Sequence, residues 1–146
     1  MSDPRTALIS ATVSAIVSLT VSYLLRRSQQ RAAIDAKLMK SIELAMSYPH
    51  VEDSEYCDKW PDGNSDTEKR IQYDLYCCYV FNLIEDIWRH CWNVSQVERI
   101  LYVREFIQTH RCWWEKQDMN LTGYEKSFRA YVQSVIDDIK RKEKNL

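Results

Sequence analysis

Residues 9–24 read ISATVSAIVSLTVSYL. The run carries no charge, yet hydroxyls recur through it at Ser10, Thr12, Ser14, Ser18, Thr20 and Ser22. Whether it is helix or strand decides the fold. The hydroxyls nearly alternate, as in a barrel strand, but Ile16 breaks the alternation, and one strand in so helical a chain has no neighbours with which to close a barrel. The helix reading stands. Extended to Ala7–Leu25, the uncharged run reaches about 19 residues, close to the ~20 that a membrane-crossing helix needs. The preceding MSDPR carries both signs and no small-residue cleavage site comes before RRSQQR, so a secretory leader does not fit.

The flanks give an orientation. Arg26, Arg27, Arg31, Lys37 and Lys40 follow the run, whereas Arg5 alone precedes it. Positive charge collects on the cytoplasmic side. The expectation is therefore an inner-membrane, single-pass protein with its N-terminus outside and its body in the cytoplasm. Ser10, Ser14, Ser18 and Ser22 recur every four residues, with Ala7, Ala11 and Ala15 beside them. Such a stripe of small side chains lets helices approach closely and bond across the contact, so a homo-oligomer is expected. In a wider ring the same hydroxyls line a pore; in the simplest reading they bond back to their own helix.

The rest of the chain is helical in pattern. Gly and Pro number 2 and 3 among 146 residues, too few for many turns. Net charge is −1, which gives no global argument for nucleic acid. The apolar spacing continues through Ile34, Leu38 and Ile42 until Tyr48-Pro49, where proline disfavours further helix. Three capping boxes then mark helix starts: Ser65 with Glu68, Ser95 with Glu98, and Thr122 with Glu125. The first opens an apolar helix to about Trp92, the second a helix over roughly 96–109, and the third a helix ending in the basic KRKEKN. The expected fold is all-α, with a membrane helix and its extension at 1–48 and a cytoplasmic helical bundle at 49–146.

Two constellations carry candidate chemistry. In VREFIQTH, Arg104 falls near the middle of an apolar face, where an unpaired cation is costly, and Glu85 and Asp86 are its expected partners. His110 closes the same helix. Arg104 and His110, with five residues between them, resemble the Arg-X4–6-His signature of the HEPN superfamily. That resemblance implies a dimeric helical bundle whose paired motifs form a metal-independent ribonuclease site acting on RNA, with Arg104 stabilising phosphate charge and His110 as the acid–base group. The residue after the arginine is Glu105, an acid that repels phosphate and departs from the family pattern. The whole layout also resembles the HEPN-like membrane accessory protein of type VI CRISPR systems. A cousin is the membrane effector of type III systems that senses a cyclic nucleotide. These resemblances imply an antiviral effector that perturbs the membrane beside a CRISPR effector complex.

The second constellation, Trp113-Trp114, reads as a pair of core plugs or an interface anchor, with base stacking as the sharper alternative. The five cysteines have no framework or Cys-X2-Cys spacing, and Cys77 and Cys78 point to different faces of one helix. No metal or cofactor is expected, and no Gly-rich phosphate loop or Ser–His–Asp order appears. The chain is read as a non-enzymatic effector first, a HEPN-type ribonuclease second and a nucleotide receptor third.

Overall fold

The computed structural model describes residues 4–61, 66–90, 95, 97–98, 102–117 and 120–145, with the side chains of 4–11, 120 and 121 outside that description. The described residues are all-helical. Helix α1 (Pro4–Ser47) is followed by a 3₁₀ turn (Pro49–Glu52), α2 (Ser54–Asp58), α3 (Thr67–His90), α4 (Val103–Thr109), α5 (Arg111–Lys116), α6 (Asn120–Gly123) and α7 (Lys126–Glu143). The chain divides into two compact units, Met1–Ala36 and Lys37–Leu146.

The first unit is helix alone. Its described side chains are exposed almost throughout, among them Ser14, Ala15, Ser18 and Ser22. Ala7, Ser10 and Ala11 lie outside the described side chains. Thr20 donates its hydroxyl to the Ile16 carbonyl at 2.8 Å, the back-bonding that satisfies a hydroxyl within its own helix.

The expectation of a membrane span is corrected here. Among the described residues, no helix is long and apolar enough to cross a membrane. The run there is diluted by Thr12, Ser14, Ser18, Thr20 and Ser22 before Arg26 ends it. The inner-membrane, N-terminus-outside placement falls with it.

In the second unit, α3 is the central element. Tyr73, Cys77, Val80, Phe81, Ile84 and Ile87 are all buried along it, which explains its nearly continuous apolar reading. It starts at Thr67, where the Asp66 carboxylate accepts the N–H groups of Glu68 and Lys69 at 3.0 and 3.2 Å; Ser65 of the expected capping box lies outside the described residues. Helix α7 buries Phe128, Tyr131, Val132, Val135, Ile136 and Ile139, a stripe at helical spacing with its charges on the other side. Its start comes later than the Thr122–Glu125 box suggests. The backbone N–H of Glu125, beside the helix start, donates instead to the buried carboxylate of Glu85 at 2.6 Å. Helix α4 packs on α7, and the 3₁₀ turn packs on α2 and α3. Tyr102 departs from helical backbone at φ −69°, ψ 61°, so the helix expected over roughly 96–109 is seen as α4 from Val103 onward. Ser95, Val97 and Glu98 are helical as well, and 96 and 99–101 lie outside the described residues.

Candidate functional site

His110 sits where α4 ends and α5 begins, with φ −105° and ψ 17°. That backbone corner turns its ring into the body, where it is fully buried. Three rings crowd it: Phe106 with centroids 4.1 Å apart, Tyr73 at 5.6 Å and Tyr76 at 5.9 Å. The Tyr73 hydroxyl lies 3.0 Å from His110 Nδ1, and the Cys77 Sγ 3.7 Å from the same nitrogen. The far nitrogen, Nε2, faces Glu52 Oε1 at 3.8 Å. That is too long for a hydrogen bond, and Nε2 has no such partner.

Glu52 comes from the 3₁₀ turn and receives the Tyr76 hydroxyl. Burial by itself would raise the Glu52 carboxyl, but the Tyr76 hydroxyl and the neighbouring His110 outweigh burial and hold it below its ordinary value. Burial moves the surrounding donors the other way. The Tyr73 and Tyr76 hydroxyls and the Cys77 thiol are pushed well up, and the Cys57 thiol is pushed up to about 12. Neutral thiols are poor nucleophiles. The cluster is thus two polar contacts side by side, Tyr73 and Cys77 at His110 Nδ1 and Tyr76 at Glu52, with the Glu52 carboxylate at the exposed edge, suited to holding the 3₁₀ turn, α3 and the α4–α5 corner together.

A carboxylate whose folded value lies below its unfolded one contributes stability that is present above the unfolded value and lost as pH falls through the folded one. For Glu52 the loss begins as pH drops below about its ordinary 4.5. Glu52→Gln should flatten that acid limb of the stability–pH curve, read by urea unfolding at successive pH values. An unchanged limb would assign the dependence elsewhere.

The structure places Arg104 against a different element from His110. Arg104 is partly exposed and donates to Asp138 Oδ2 on α7 at 2.6 Å, with Lys142 3.4 Å from the same oxygen. The expected partners are engaged elsewhere: Glu85 with Arg89 at 3.1 Å, and Asp86 with Lys37. Spacing along one helix does not reveal a carboxylate that tertiary packing supplies from another.

Trp113 and Trp114 are both buried. Trp113 stacks on Phe81 with centroids 5.2 Å apart and planes 13° from parallel, and its Nε1–H donates to Asp74 Oδ1 at 2.6 Å. Trp114 meets Phe81 at 4.7 Å and Tyr124 at 5.1 Å. Their faces are covered by protein rings, which leaves none of that area for a stacked base. The basic end of α7 is engaged as well: Lys140 pairs with Glu115 at 2.5 Å and Arg111 reaches Glu143 at 2.6 Å, tying α5 to α7. Among the described residues, no group of three or more His, Cys, Asp or Glu is placed to hold a metal ion.

Glu52, Tyr73 and Tyr76 escape sequence reasoning. Tyr73, Tyr76 and Cys77 do share a helical face by their spacing, which is the one signal that could have marked a pocket for a polar ring. The chain matches no protein-family model, no curated protein and no solved structure.

Proposed function

We propose that this chain is a non-enzymatic assembly protein that associates with copies of itself through α1. The observation that carries the reading is the surface of that helix. Val13, Ile16, Val17, Leu19, Val21, Tyr23, Leu24 and Leu25 are each more than half exposed. Apolar surface left open on that scale marks an interaction site. The small side chains interleaved with it, Ala15 and Ser18 among them, let a second helix come close. The fully buried, ring-crowded position of His110 favours a structural role over acid–base work on RNA, since its one unbonded nitrogen faces the Glu52 carboxylate, which repels phosphate. A role as an accessory in antiviral defence rests on the architectural resemblance alone.

Sedimentation velocity of the full chain across the micromolar range tests the reading. Wild type should form dimers or larger species, and Val21→Lys with Leu25→Lys should sediment as a monomer with unchanged helical content. A wild-type monomer at every concentration, or a doubly substituted chain that still assembles, overturns it.

A further inference from the structure

The heptad register of α1 specifies how two copies meet. From Val21 to Met46 the spacing alternates four and three: 21, 25, 28, 32, 35, 39, 42, 46. Every one of these positions is exposed. A four-three alternation is the seam of a two-helix coiled coil. One member is charged, Asp35, and it decides between orientations. In a parallel, in-register pair Asp35 faces Asp35, two like charges in the middle of the seam. In an antiparallel pair whose facing positions sum to 67, Met46 lies against Val21, Ile42 against Leu25, and Met39 against Ser28. Asp35 then meets Ala32, and the neighbouring Arg31 comes beside the opposing carboxylate. Three of the four layers set a larger side chain against a smaller one, the fourth pairs Ile42 with Leu25, and no layer sets like charges together.

We propose that the partner of α1 is a second copy of α1 in this antiparallel register, with Arg31 of one copy paired to Asp35 of the other. This rests on the self-association reading and adds its orientation. Side-chain complementarity supports association, and charge supplies the choice of partner geometry. Met39, Ile42 and Met46, otherwise unexplained apolar groups on the surface of the second unit, are covered in this arrangement.

Photo-crosslinking locates the contact. A benzophenone amino acid at position 42 of the full chain should label the partner near residue 25, mapped by mass spectrometry; label at 42 itself means a parallel pair and overturns the register. Charge exchange is the second measurement. Asp35→Arg alone should weaken association by ~10-fold or more, and Asp35→Arg combined with Arg31→Asp should recover most of it. Failure of the combined change to recover overturns the Arg31–Asp35 pairing. If the unsubstituted chain sediments as a monomer, self-association itself falls. An assembled chain with the wrong crosslink rejects the register and leaves self-association standing.

Discussion

Trp113→Ala should destabilise the helical body by about 3–5 kcal/mol, the cost of removing a fully packed tryptophan and leaving a cavity. Trp113 is 1 % exposed, its ring lies flat on Phe81, and its Nε1–H is taken by Asp74. Removal therefore opens a void beside Phe81 and strips Asp74 of one donor, although Gln117 Nε2 still reaches the same Oδ1 at 2.9 Å. Urea unfolding should show a lower midpoint with the slope unchanged, the sign of lost stability in an intact fold. Trp113→Phe separates the two contributions, keeping most of the ring contact while losing the hydrogen bond. It should fall between wild type and the alanine variant. If both variants unfold with wild type, the stacked core is not where the stability lies.

The second large effect is expected at His110. His110→Leu keeps much of the volume but removes the nitrogen that partners the Tyr73 hydroxyl at 3.0 Å. A buried hydroxyl left unpaired costs about 1–3 kcal/mol, and His110→Ala should cost more because a cavity joins that loss. Tyr73→Phe with His110→Leu should recover part of the loss, because both ends of the bond are then apolar. Arg104→Ala should change stability little, since Arg104 is partly exposed and Asp138 keeps Lys142 nearby. The two residues of the Arg-X5-His pair thus give different results in one unfolding experiment. Equal, large effects at both would require a shared site that couples them.

How far these features could be read from the sequence follows from the range of the interactions involved. Scarce Gly and Pro and the 3.6-residue spacing announced the helices, because those signals are local. The α7 stripe at Phe128, Tyr131, Val135 and Ile139 is buried as its spacing implies. The paired tryptophans likewise took up the core reading, for so much apolar area in a small body is hard to place elsewhere. The start of α7 slipped because a distant neighbour supplied the partner: Glu85, forty residues away, takes the N–H at Glu125. The partners of Arg104 and His110 were hidden for the same reason. Glu52 reaches His110 only because the 3₁₀ turn folds back on α3, and nothing local to either residue encodes that approach. The apolar run at 12–25 misled in another way. Hydropathy and hydroxyl content describe a helix that wants cover, and they do not say whether lipid or protein provides it.

The buried thiols give the molecule a built-in clock. Cys57 and Cys77 are both sealed within the body, with the Cys57 thiol held up to about 12 and that of Cys77 well above its ordinary value, so neither presents a thiolate to a reagent at neutral pH. Cys78, next along α3, is only half-buried and less strongly shifted. An alkylating reagent should therefore mark Cys78 early and the two sealed positions only when α2 or α3 momentarily swings open. The delay between those events measures the breathing of the bundle at named places, with no cysteine introduced.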